Sequence, residues 1–206
     1  MIIDISPAIS SALRVWPGDT PPSREVLLDM RKGDNITLST LHSTVHAGAH
    51  ADGPNHYGAD APAIDERDLN DYLGPCQVVR AKVERGARVG KEHIEDVITC
   101  ERVLIATGTY PDPTHFNEDF AGLEPSFVAF LHQRGVRTIG IDTPSVDLFS
   151  SKDLPAHQMF LQCDMAILEG LVLRDVEPGR YELIALPLKL VGFDASPVRA
   201  VLRRLD

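Results

Sequence analysis

Between residues 46 and 56 the chain reads His46-Ala-Gly-Ala-His50-Ala-Asp52-Gly-Pro-Asn-His56, a spacing of H-x3-H-x-D-x3-H. With His42 just before it, this short stretch holds four of the eight histidines. Two glycines and a proline keep it from forming a helix and let the backbone bend several side chains toward one point. Imidazole and carboxylate are the groups that bind zinc or manganese near neutral pH, so the segment reads as a metal site. Packing explains it poorly. The histidines alternate with Asp and Gly rather than with apolar residues at helical period, and no low-complexity repeat surrounds them.

A metal site needs a scaffold, and 206 residues suffice for one domain, expected to span 1–206. The 43% hydrophobic and 24% charged residues suit an ordinary globular protein. Acids outnumber bases 30 to 20, and the net charge of −10 argues against nucleic acid or an anionic membrane as partner. A small-molecule partner is expected instead. No apolar run reaches 18 residues, and the opening Met1-Ile-Ile-Asp-Ile-Ser is neither basic nor a secretory signal, so a cytoplasmic protein is expected. Cys76, Cys100 and Cys163 are sparse, odd in number and form no CxxC pair, which points to reduced thiols.

Val/Ile enrichment between turn residues predicts strands over 2–6, 23–29, 36–43, 76–83, 102–107, 138–142, 166–169 and 181–186. Helices are predicted over 91–98, 125–134 and 156–162. A C-terminal helix is predicted from Ser196 as N-cap and Pro197 at its first position, with Arg203 and Arg204 near its negative end. Strands outnumber helices. The expected architecture is an α/β (α+β) domain, a mixed sheet with helices packed on it.

His46, His50 and Asp52 are the evident ligands, with His56 either a fourth ligand or a catalytic group. Two later residues join them as candidates. His157 opens a predicted short helix, and Glu169 ends the apolar run Met165-Ala-Ile-Leu-Glu, where a buried carboxylate needs a partner. His93, His115 and His132 suggest no role. Strand alternation places His42 on the same face as His46, which leaves a supporting role for it open.

The histidine segment resembles the H-x-G-T-H-x-D-x-P-x-H signature of the cyclase-like metal hydrolases, with Ala49 in place of Thr. Further segments resemble the kynurenine formamidase (arylformamidase) branch of that family. They are Trp16-Pro-Gly-Asp-Thr-Pro, Gly140-Ile-Asp-Thr-Pro-Ser-Val-Asp147 and Ser151-Lys-Asp-Leu-Pro-Ala-His157. Leu183-Ile-Ala-Leu-Pro-Leu-Lys-Leu and Asp194-Ala-Ser-Pro-Val-Arg-Ala-Val complete the set. The resemblance implies a β/β/α (swivelling) fold, a homodimer, and zinc at two positions per subunit. His46, His50 and Asp52 would hold one ion. Asp52 as bridge, His157 and Glu169, itself shared, would hold the other.

The resemblance also implies that His56 is the acid/base and that Trp16 lines the substrate pocket. The implied reaction is hydrolysis of N-formyl-L-kynurenine to L-kynurenine and formate, a step of tryptophan catabolism. Two other readings stand beside it: the same metals acting on another cyclic or aryl amide such as isatin, or a catalytically silent metal-binding module.

Overall fold

The computed structural model describes residues 1–205. The first half of the chain contributes β1 (Ile2–Asp4), β2 (Ser23–Leu28), β3 (Leu38–His42), β4 (His50–Asp52) and β5 (Leu73–Arg80). Next come β6 (Arg88–Val89), β7 (Arg102–Ala106), β8 (Gly122–Leu123), α1 (Pro125–Gln133) and β9 (Thr138–Ile141). The last third holds α2 (Pro155–Cys163), β10 (Ala166–Glu169), β11 (Gly179–Ile184), β12 (Ala195–Pro197) and β13 (Val201–Arg204).

Nine strands join one mixed sheet in the order β1-β13-β11-β5-β7-β9-β10-β4-β12. Its centre, β5-β7-β9-β10, is parallel, and both flanks are antiparallel. Parallel strands are covered on both faces, which is why β7 is buried throughout. Side chains alternate across the sheet. Val103, Ile105, Ile139, Ile141 and Ile167 face the two helices, meeting Phe127, Val128, Leu131 and Phe160. Leu104, Ala106, Ala166 and Leu168 turn the other way and share a second core with Leu183, Leu202 and Ala51. Because that core unites strands from both flanks, the sheet is curled. The fold is α+β, as the strand-rich pattern predicts.

This curling fixes where chemistry can occur. Strand β4 lies between β10 and β12, with His50 opposite Glu169 and Asp52 opposite Ala195. Ala51 fills the second core, so His50 and Asp52 project from the other face, toward the first turn of α2 and His157. Just after β10 the chain turns at Gly170, with φ +65°. A Cβ there would stand 2.2 Å from the carbonyl oxygen of Gly48, so only glycine admits this approach.

Two predicted helices are absent. Over 91–98 there is a single 3-10 turn, Lys91–His93, after which Ile94 bridges Ala81 and packs with Ile98 against the helix-side core. Eight residues are too few for a helix to hold against such tertiary pairing. Residues 196–204 form β12 and β13 instead of a helix. Ser196 Oγ accepts from Leu188 N at 2.8 Å and donates to Pro197 O at 2.9 Å, so it caps nothing. Val198, Ala200 and Leu202 are buried at period two, and β13 pairs with both β1 and β11. Arg203 accordingly meets Glu182 across the sheet, not a helix end. Helices α1 and α2 fall close to their predicted ranges. Among the described residues no helix is long and apolar enough to cross a membrane.

Candidate metal centre

Three imidazoles point one nitrogen each at two buried carboxylates. His46 Nδ1 lies 3.3 Å from Asp52 Oδ1, and His50 Nε2 lies 3.6 Å from the same oxygen and 3.2 Å from Glu169 Oε2. His157 Nε2 lies 3.5 Å from Asp52 Oδ2 and 3.6 Å from Glu169 Oε1. His46, His50 and Asp52 form one close set of donor atoms, and Asp52, His157 and Glu169 form a second. Asp52 belongs to both.

The opposite nitrogen of each ring is held by an outer acceptor. His50 Nδ1 donates to Gly48 O at 2.8 Å, His157 Nδ1 to Asp147 Oδ2 at 2.9 Å, and His46 Nε2 to Asp194 Oδ2 at 3.0 Å. Such partners fix which nitrogen carries the proton and leave the inner one free to bind a metal. The glycine contact at residue 170 therefore matters here, because it seats the carbonyl that orients His50.

Neither oxygen of Asp52 has a hydrogen-bond partner, although the residue is buried. A buried carboxylate without partners is costly unless a cation offsets it. Imidazole nitrogens and carboxylate oxygens, with no thiolate, suit zinc, manganese or cobalt, so the residues fit a divalent metal. Electrostatics agree. Burial works to raise the Asp52 carboxyl, but His157, His46 and His50 hold it well below the usual range. Burial lowers His46, but Asp52 and then Asp194 outweigh it, raising the imidazole to about 9. His157 is likewise lowered by burial and raised, by Asp147 and Asp52, to about 10.

His56 stands at the edge of the cluster on the 3-10 turn Pro54–His56, its ring 4.3 Å from that of His46 and its side chain 35% exposed. Its Nδ1 lies 3.5 Å from Asp194 Oδ2, so His46, His56 and Asp194 form a third, more open set. Trp16 lines the same cavity, of about 900 Å³, and leans on Phe149 with ring centres 4.9 Å apart. Phe116 and Phe120 meet the indole edge-on. His42 is not part of this assembly. It sits exposed on β3, bonded to Glu25 across the hairpin at 3.0 Å.

A family model described as "Putative cyclase" matches residues 3–148. The chain belongs to the cyclase family. Curated members named kynurenine formamidase lie close to it in sequence. The protein of Delftia acidovorans is 45% identical over 203 residues, covering 98% of this chain and 97% of its own. That of Bordetella petrii is 43% identical over 204 residues, with the same coverage. A solved structure described as a potential metal-dependent hydrolase with cyclase activity superposes with a TM-score of 0.86 at 27% identity, over 100% of this chain and 99% of that one. Isatin hydrolase A from Labrenzia aggregata shares the fold of this cyclase-family chain, with a TM-score of 0.81 at 20% identity over 98% and 93% of the two chains.

Two residues of this centre went unassigned in the sequence reading. Asp194 is flanked by β12, and only sheet pairing carries it to His46. Asp147 accepts from the backbone of Ala156 and His157 at 3.2 and 3.0 Å, so it caps α2 while holding the His157 ring. Arg88 Nη1 reaches Asp147 at 2.8 Å. Burial raises the Asp147 carboxyl, but His157, then Arg88, bring it below the usual range. Asp147→Asn puts an amide where two donors converge. Competition with a chromogenic chelator should show about 10- to 100-fold weaker metal binding; unchanged affinity would deny Asp147 this role.

Proposed function

We propose that this chain is a zinc-dependent arylformamidase, with two ions per subunit, that hydrolyses N-formyl-L-kynurenine to L-kynurenine and formate. The observation that carries the reading is the pair of donor sets sharing Asp52 inside an aromatic-walled cavity. The relatives named kynurenine formamidase supply the substrate. His46, His50 and Asp52 would hold one ion, and Asp52, His157 and Glu169 the other. When bound, such ions supply a nucleophile from water near neutral pH and polarise a carbonyl.

Hydrolysis adds the oxygen of water to the formyl carbon, breaks its bond to nitrogen, and leaves formate after loss of a proton. The departing arylamine needs a proton of its own. His56, at the open edge of the cluster, delivers it in this reading. Asp194 Oδ2 lies 3.5 Å from its Nδ1. Trp16 offers its indole to the aryl ring, backed by Phe149 and Phe116.

Residues 1–206 act as a single domain in this reading, supported by the pairing of β1 with β13. Buried free Cys76 and Cys100 and the half-buried Cys163 support a cytoplasmic setting. We also propose a homodimer. The β2–β3 hairpin leaves Val26, Leu27, Met30, Ile36, Leu38 and Leu41 exposed, and a two-stranded hairpin is marginal in water without cover.

Turnover of N-formyl-L-kynurenine should vanish on chelation and return with zinc; no turnover by fully metallated protein would sink the formamidase reading and make isatin the next substrate. His56→Ala should lower kcat by about 10²- to 10⁴-fold while elemental analysis finds the metal retained. A fast variant would remove His56 from the chemistry. Light scattering should give twice the chain mass, and Val26→Asp with Leu41→Asp, on one face of the hairpin, should halve it. A monomeric parent protein would refute the dimer.

A further inference from the structure

Acids outnumber bases in this chain, and seven of its fifteen arginines pair with a carboxylate among the described residues. Arg67, Arg88, Arg137 and Arg199 pair with Asp71, Asp147, Asp71 and Asp4 respectively. Three of the others are gathered at one place. Arg14, Arg80 and Arg174 all line the cavity that contains the metal cluster, and none pairs with a carboxylate among the described residues. The acids of that cavity are engaged elsewhere. Asp142 accepts from Thr107 and Gly108, Glu169 from Val146 N, and Asp194 from His46. Asp19 accepts from Thr44 at 3.4 Å.

Their placement is built. Arg80 closes β5, and its Nη2 donates to the carbonyls of Arg174 at 3.2 Å and Val176 at 2.9 Å, tying down the segment that carries Arg174. That segment leaves β10 at Glu169 and runs along the cavity wall, so Arg174 lies five residues from a metal-facing carboxylate. Five residues span at most about 18 Å. Arg14 N donates to Pro113 O at 2.9 Å, and Arg14 precedes the pocket tryptophan by two residues. Pro111, Pro113 and Tyr110 line the cavity beside it. One cavity thus holds a candidate cation-binding cluster, an aromatic wall, and guanidinium groups that form no ion pair among the described residues.

We infer that Arg14 and Arg174 bind a carboxylate that the substrate carries away from its scissile amide, with Arg80 as the positioning residue for Arg174. The site selects aryl amides with an anionic tail. This rests on the arylformamidase reading, in which the tail is the α-carboxylate of the amino-acid side chain. Guanidinium and carboxylate match in shape and charge, and these arginines are exposed, so they meet the carboxylate where the cavity opens to solvent. A chain of net charge −10 repels an anionic substrate overall, so a local positive rim is what admits it.

The test compares N-formyl-L-kynurenine with N-formylaniline, which has the same scissile bond and no carboxylate. Each of Arg14→Gln and Arg174→Gln should lower the ratio of the two kcat/KM values by about 10- to 100-fold, chiefly through KM. Calorimetric binding of L-kynurenine to the zinc-loaded protein should weaken in parallel. Arg85→Gln, whose side chain pairs with Asp119 outside the cavity, serves as control and should leave the ratio in place. A ratio unmoved in both pocket variants would overturn the inference while leaving the hydrolase reading standing. Failure of the parent protein to hydrolyse either compound would overturn the arylformamidase reading and the inference with it.

Discussion

A carboxylate with no hydrogen-bond partner, in the interior of a curled sheet, is the constraint around which this molecule is organised. Asp52 sits on a three-residue strand between β10 and β12, and its two oxygens face imidazoles that approach from different segments. Removing a charged group from water is expensive, and hydrogen bonds do not compensate it here. The surroundings therefore had to be built for a cation. Every outer contact follows from that demand: Gly48, Asp147 and Asp194 each turn a ring so that its remaining nitrogen points inward.

The placement of these outer groups couples fold to chemistry. Asp147 illustrates this, because one carboxylate caps α2, orients His157 and meets Arg88. A helix end and a candidate metal ligand are thus fixed by the same side chain. Gly170 does comparable work on the opposite side, where its missing Cβ lets the chain press against the Gly48 carbonyl. Stability and site geometry are not separable at these positions.

How much of this was legible in the sequence depended on the range of the interaction. The H-x3-H-x-D-x3-H spacing revealed one donor set, because its members are neighbours in the chain. Glu169 was legible as a charge in an apolar run. Asp194 and Asp147 gave no local signal of their roles, since sheet pairing and helix capping bring them in. Secondary structure followed the same rule. The buried parallel strands were evident from Val and Ile, and β10 coincides with its predicted span. The three residues of β4 were too few to show a period. At the C-terminus, the local signal of Ser196-Pro197 for a helix lost to pairing of β13 with two neighbours. Ile94 likewise left a helical pattern to bridge Ala81.

The members of the centre are far apart in the chain, and that has a consequence for its birth. His46 and Asp194 touch across 148 positions, and the last strand in the chain, β13, pairs with the first, β1. A chain still emerging from synthesis holds the histidine segment early but lacks α2, β10 and β12. It can therefore present loose imidazoles long before it can enclose an ion. Contacts of such separation form late, after the entropy of closing long loops has been overcome. An ion that prefers the finished arrangement would act as a latch on completed folding, stabilising the native chain and no partial version of it.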